Sequence, residues 1–384
     1  MKDKFTADDT KVIKGVAIVL MLMHHLWSFS DRIAGGELKS FIKYSGVPLV
    51  EFLGDFGKMC VSLFFFLGGY GIYISSKKKN IDVIAKVKAL FVQYWKVFLI
   101  FIPIAFLFFR NQPYYCDDIE IFTAYNHFDL TEFIQNFLGL GHSYNREWWF
   151  LRSYVIAILT FPLLKKVCDK YSSTTNIFLV ILFSILVTNF FPSIGKLEVL
   201  GYLNNNLLYG TFFCQTAPFI ASFWMGMVFA KDDLIVKLKK QINDNIKLNF
   251  IVDLIIIALV IYLRQKELGN TLDIIYIPFF IIASLDLLEK IPCIKKILYN
   301  FGKQSTNMWL THTFYCYYFY FFVQMVVKFE WAVPCLIVLL FLSYYGSVLL
   351  DFIWKVIDYF YNEVKELFND IKKYLKSKNL QKNK

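Results

Sequence analysis

Lys14, His24 and His25 share one apolar stretch, KVIKGVAIVLMLMHHLWSF at residues 11–29. On an ideal helix, at about 100° per residue, the steps from Lys14 to His25 return to within roughly 20° of the same face, and His24 lies roughly 80° away. The rise between them is about 16 Å, about half a bilayer core. One helix face thus carries a cation near its start and an imidazole deep in apolar surroundings, where ionisable groups are costly and mark function. A neutral imidazole there is suited to take a proton from a hydroxyl. On this phasing His25 faces a polar cavity, and His24 turns to a neighbouring helix for packing or a hydrogen bond. The plainer alternative, histidines that only pack, is weakened by three further stretches. NREWWFLRSYV, residues 145–155, carries Glu147, Trp149 and Arg152. Arg152 lies about 8 Å into its helix; it either snorkels outward or holds an anionic or oxygen-rich group, with Glu147 as neighbour. LYNFGKQSTNMWLTHTFYCYY, residues 298–318, places Ser305 and His312 on one face, with Gln304 or Ser305 opening the helix. GKMCVSLFFFLGGYGIY, residues 57–73, offers Gly68, Gly69 and Gly71 for close helix approach.

These residues need a scaffold, and composition says which. The 384 residues are 57% hydrophobic and 19% aromatic, with 42 Phe. A soluble domain cannot hide that much apolar surface, so the expectation is an all-α, polytopic membrane bundle. Apolar segments fall near 12–29, 56–76, 90–109, 147–165, 175–191, 208–230, 247–263, 271–289, 305–327 and 332–354. Counted as spans, they predict about ten transmembrane helices with both termini on one side. With the N-terminus in the cytoplasm, 29 of the 41 Lys and Arg fall on the inner side and 9 on the outer. The net charge of +11 is thereby explained by flanking lysines, and nucleic acid is not an expected partner. Residues 1–354 form one transmembrane domain. Residues 355–384 read as a basic, amphipathic cytoplasmic tail against an anionic leaflet. The longest outer loop, 110–146, carries Tyr114, Tyr115, Cys116, Asp117, Asp118 and His127, and a short amphipathic piece near TEFIQNFLGL. The seven cysteines contain no CxxC pair, which excludes a zinc site or disulfide framework as the organising feature. No metal is expected. The first apolar stretch has no small-residue cleavage site and reads as a retained span.

Taken together and in order, the four stretches resemble the acyltransferase-3 family of membrane proteins. The likeness rests on a basic residue, ten intervening residues and a histidine (Lys14 to His25), on GKMCVSLFFFLGGYGIY, on EWWFLRSYV and on GKQSTNMWLTHTF. It spans residues 14–318. The chain departs from the family pattern in having Lys14 where arginine is common and Gly68 where serine is common. The basic pair often found after the glycine stretch is matched only by Lys77 to Lys79.

The resemblance implies transfer of an acyl group, often acetyl, from a cytoplasmic donor such as acyl-CoA to a hydroxyl of a cell-surface polysaccharide or lipid-linked sugar. It implies a bacterial cell-membrane enzyme with no bound cofactor. In this reading His25 is the general base. Lys14, Ser305 and His312 line a donor cavity open to the cytoplasm, and Arg152, Glu147 and Trp149 serve the acceptor. Donor and acceptor meet around His25 in a cavity through the bundle. A transporter or flippase for lipid-linked sugars is the main rival, since polar groups within spans also suit a transport path, but no inverted repeat supports it.

Overall fold

The first helix shows how local chemistry sets the element boundaries. Asp9 N donates to Thr6 Oγ1 at 3.1 Å, and Thr6 N donates to Asp9 Oδ2 at 2.9 Å, which caps Ala7–Met23 (α1). This capping box satisfies backbone donors that helical bonding leaves over. Beyond it the chain is apolar, and in lipid each backbone polar group must find its partner within the chain, so such segments become helices.

The computed structural model describes residues 4–33, 38–44, 46–113, 121–194, 215–266 and 271–382. After α1 come Leu49–Gly57 (α2), Met59–Ser76 (α3), Val83–Phe108 (α4), Leu130–Phe137 (α5), Trp149–Lys170 (α6), Ser173–Ile185 (α7), Phe191–Ile194 (α8) and Ala217–Lys231 (α9). Then follow Leu234–Ile246 (α10), Phe250–Lys266 (α11), Asp273–Glu289 (α12), Pro292–Lys303 (α13), Ser305–Thr313 (α14), Tyr320–Val327 (α15) and Ala332–Lys382 (α16). Two two-residue antiparallel pairings, Lys43–Tyr44 with Val47–Pro48 and Gln112–Pro113 with Ile121–Phe122, decorate an otherwise helical fold. The molecule is an all-α membrane bundle.

Each of the ten apolar segments read from the sequence overlaps helix. By length and composition, however, the described residues hold five spans: Ala7–Ser28, Leu49–Ser76, Val83–Phe108, Ser173–Phe190 and Ala332–Lys372. The pair α10 and α11, bent by 117°, makes a sixth if it crosses as one unit. The count of ten is not established. Helices α9 and α12 have 15 and 17 residues, and the segment 305–327 is interrupted between α14 and α15. Helix α16 continues without a break through 354, the expected domain boundary, and residues 355–372 are exposed. The short helix expected near TEFIQNFLGL is α5. Tyr114, Tyr115, Cys116, Asp117, Asp118, Cys214 and the start of the segment 208–230 lie outside the described residues.

Two helix crossings hold the bundle at backbone distance. A methyl group on Gly15 would lie 1.9 Å from the Leu298 carbonyl oxygen, and one on Gly302 would lie 1.7 Å from that of Lys11, where α1 crosses α13. At the α3–α9 crossing, Gly69 and Gly226 stand in the same relation to the carbonyls of Phe223 (1.8 Å) and Phe66 (2.0 Å). Small residues substitute for hydrophobic drive in lipid by letting backbones touch. Of the three glycines expected to pack, only Gly69 does so against backbone. Gly68 faces the Tyr154 hydroxyl, and Gly71 has open space beside it. Elsewhere a buried ion pair does the joining. Arg264 Nε donates to Asp273 Oδ1 at 2.7 Å, Ser62 Oγ donates to Asp273 Oδ2 at 2.7 Å, and Arg264 Nη1 donates to the Asp55 carbonyl at 3.2 Å. This ties α11 and α12 to α3 and to the end of α2.

The crossings make a testable contrast. Gly302→Ala and Gly69→Ala force backbone apart and should cost at least about 1–3 kcal/mol. Gly71→Ala should change stability by less than about 0.5 kcal/mol. Thermal unfolding of the detergent-purified variants measures both, and equal behaviour at the three sites would refute the packing argument.

Candidate functional site

The helices carrying the candidate residues break where those residues gather. α1 passes into one π-helical turn, His24–Ser28, and α14 passes into another, Phe314–Tyr318. A π-turn inserts extra chain into a helix and re-aims the side chains around it, and such turns recur at functional sites. The first presents His24 and His25. The second presents Tyr317 and Tyr318, with His312 in the last turn before it. The rings of His25 and His312 lie 4.9 Å apart between centroids. The Tyr317 hydroxyl donates to the His25 carbonyl oxygen at 2.5 Å and stands 3.4 Å from His25 Nδ1, so the two π-turns grip each other.

The hydrogen-bond partners of the other two imidazoles define their faces. His312 Nδ1 is 2.7 Å from the Trp309 carbonyl oxygen, which can only accept, so Nδ1 carries the proton. Nε2 is then a bare acceptor. It is buried and has no hydrogen-bond partner among the described residues. His24 Nδ1 likewise donates to the Gly54 carbonyl at 3.1 Å, with Ser28 Oγ at 3.2 Å.

A third piece, the turn before α6, docks onto α14 and its π-turn. Trp148 Nε1 donates to the Leu310 carbonyl at 3.0 Å, and Asn145 Nδ2 donates to Thr313 Oγ1 at 2.7 Å. Arg146 N donates to the Tyr318 hydroxyl at 2.9 Å, and that hydroxyl donates to Glu147 Oε2 at 2.7 Å. Glu147 and Trp149 are thereby set beside the histidines. The resulting chamber, about 400 Å³, is lined by His24, His25, Glu147, Trp149, Cys60 and His312, with Arg32, Lys58 and Arg146 also in its wall. It juxtaposes proton acceptors, a carboxyl and cations with aromatic surface, which suits proton abstraction from a hydroxyl.

Not all candidates meet there. Lys14 and Ser305 line a separate void of about 60 Å³, and Lys14 also borders a larger one of about 670 Å³ with Lys79 and Lys86. The expected donor group of Lys14, Ser305 and His312 is therefore divided, and the single cavity expected through the bundle is three spaces in series. Arg152 is not in the histidine chamber. Its Nη1 donates to the Leu140 carbonyl and its Nη2 to Gln215 Oε1, each at 3.3 Å, while Glu147 pairs with Tyr318 instead. His24 is hydrogen-bonded to the neighbouring α2, as expected, but it is not turned out of the chamber. The π-turn begins at His24, so ideal phasing stops being valid there. Ser305 opens α14 but supplies no side-chain cap to it.

Sequence reasoning passed over Tyr317 and Tyr318, although both stand in the stretch that contains His312. A pair of hydroxyl-bearing rings one turn beyond an intramembrane histidine was the available signal. Arg32, Lys58 and Arg146 were also missed, since each lies at or beyond a helix end, where cations are common.

The Tyr317 bond can be checked by stability alone. Tyr317→Phe leaves a buried carbonyl without its donor and should destabilise the protein by about 1–3 kcal/mol. Tyr359→Phe, on an exposed side chain, should have no effect in the same thermal measurement.

A family model described as an acyltransferase domain, of the acyltransferase-3 type, matches residues 9–352. No curated protein and no solved structure matches the chain.

Proposed function

Since the chain belongs to the acyltransferase-3 family, we propose that it transfers an acyl group, acetyl foremost, from acyl-CoA to a hydroxyl of a cell-surface polysaccharide or lipid-linked sugar. The observation that carries this reading is the His25–His312 pair, 4.9 Å apart in a chamber shared with Glu147 and Trp149. On this reading the protein sits in a bacterial cell membrane with both termini cytoplasmic, and the large lysine-lined space opens to the donor side. The tail 355–384 rests against the anionic leaflet beside the transferase domain, residues 1–354.

In this mechanism His25 takes the proton of the acceptor hydroxyl as its oxygen attacks the thioester carbonyl. The tetrahedral intermediate collapses, the carbon–sulfur bond breaks, and the departing CoA sulfur receives the proton from the imidazolium. His312, whose ring lies 4.9 Å from that of His25, forms the adjoining wall of the reacting centre. Lys14, with Ser305 nearby, meets a phosphate of the donor. Trp149 gives the sugar a flat apolar surface, and Glu147, oriented by Tyr318, binds its hydroxyls. Arg152, turned toward Leu140 and Gln215, serves acceptor entry and not the reacting centre.

His25→Ala should slow acyl transfer by roughly a hundred- to ten-thousand-fold, measured with purified protein, labelled acetyl-CoA and a sugar acceptor. Donor binding should survive. His24→Ala should cost far less, because its Nδ1 is committed to Gly54. If His24→Ala abolishes turnover and His25→Ala does not, in folded protein, the base is misassigned.

Lys14→Ala should raise the KM for acyl-CoA more than it lowers kcat, and Lys14→Arg should restore most of the affinity. Wild-type donor affinity in both variants would reduce Lys14 to a topological anchor.

A further inference from the structure

The three spaces along α1 are separated by side chains. The 670 Å³ space and the 60 Å³ void share Lys14 and Tyr154. The 60 Å³ void and the 400 Å³ histidine chamber share Phe64, Phe150 and Trp309, so these three rings form the partition between lysine and imidazole. They come from α3, α6 and α14. Phe150 meets Trp309 edge-on with centroids 4.8 Å apart and Phe64 edge-on at 6.3 Å. Tyr154 stacks behind Phe150 at 5.4 Å.

A partition made of rings differs from one made of backbone. Rings change rotamer without breaking a helix, so the barrier can yield to a slender group while the bundle stays packed. The void below it is narrow. A water-sized group needs roughly 10–15 Å³ of such space, so 60 Å³ holds on the order of four. A donor held by phosphates near Lys14 must therefore pass its thioester end through a space of small cross-section. We propose that Phe64, Phe150 and Trp309 form an aromatic septum that the acyl end of the donor crosses, and that this septum limits the cross-section of the acyl group accepted, so that slender chains pass and ring-bearing ones do not. The inference rests on the acyl-transfer reading for its substrate, whereas the barrier itself does not.

Cys60 lines the histidine chamber and neither of the other two spaces, which makes it a reporter. The experiment uses sealed vesicles in the orientation that exposes a separate Lys79→Cys variant to a charged, impermeant methanethiosulfonate. From that side, Cys60 modification, followed by peptide mass spectrometry, should be slow in the wild type. It should quicken at least about tenfold in Phe150→Ala and in Trp309→Ala, and not in the control Phe321→Ala. Should an alanine variant fail to fold, Phe150→Leu and Trp309→Phe carry the same comparison. Cys60 reacting equally in wild type and variants would overturn the septum. In a second arm, the ratio of kcat/KM for benzoyl-CoA to that for acetyl-CoA should rise about tenfold or more in the variants. A parallel fall for both thioesters would overturn size selection. Absence of any acyl-CoA turnover in the wild type would remove the acyl-transfer reading and the size filter with it, while the labelling result would still decide the barrier.

Discussion

The contact on which the site most depends is the crossing of α1 and α13, where Gly15 meets the Leu298 carbonyl and Gly302 meets that of Lys11. Neither position has room for one carbon atom, so the two helices have a single register. Helix α13 ends at Lys303, and α14 begins at Ser305. Fixing α13 against α1 therefore also fixes where α14 starts, and with it the depth and direction of His312. A slip of one residue in either helix would turn its side chains by about 100° and separate His312 from His25. The apposition of the two imidazoles is thus a consequence of glycine packing two turns and more away from them.

The π-turns extend the same logic. A straight α1 would carry His25 onward at constant phase, and a straight α14 would send Tyr317 and Tyr318 elsewhere. Both helices instead widen by one π-turn at matching depth, and Tyr317 of one turn bonds the His25 carbonyl of the other. In a membrane interior, backbone freed from regular helical bonding needs a partner from the protein, and this tyrosine supplies it. The neighbouring Tyr318 then reaches the opposite wall and orients Glu147. Two consecutive residues of one turn thus set both sides of the chamber, with Trp148 and Asn145 pinning the turn before α6 to the same helix.

Much of this was legible beforehand, in a specific sense. Lys14 and His25 were read on one helical face, and so were Ser305 and His312, but the structure sorts them by depth and not by face. Lys14 and Ser305 border the narrow void, and His25 and His312 border the next chamber. The number of spans was less legible. Helices of 15 and 17 residues and a segment broken between α14 and α15 read as continuous apolar runs, because hydropathy does not register breaks within apolar sequence. Glu147 was expected beside Arg152 and is not, because a helix position predicts depth and not which neighbour a side chain faces. The actual partners of Arg152, the Leu140 carbonyl and Gln215, lie in other parts of the chain.

The helical, membrane-embedded character of the chain, the positions of its apolar segments and the faces of its polar residues follow from the order of residues, since hydrophobic periodicity is a local property of a covalent chain with a known twist. The partition of the path did not. Phe64, Phe150 and Trp309 come from three helices, and among 42 phenylalanines nothing local distinguishes Phe150, which meets Trp309, or Phe64, which meets Phe150. Which rings touch depends on the registers of helices far apart in the sequence, and those registers are set by backbone contacts at a few glycines and by one buried ion pair. Such contacts have no local signature, because each half of the pair is unremarkable until the other half is beside it.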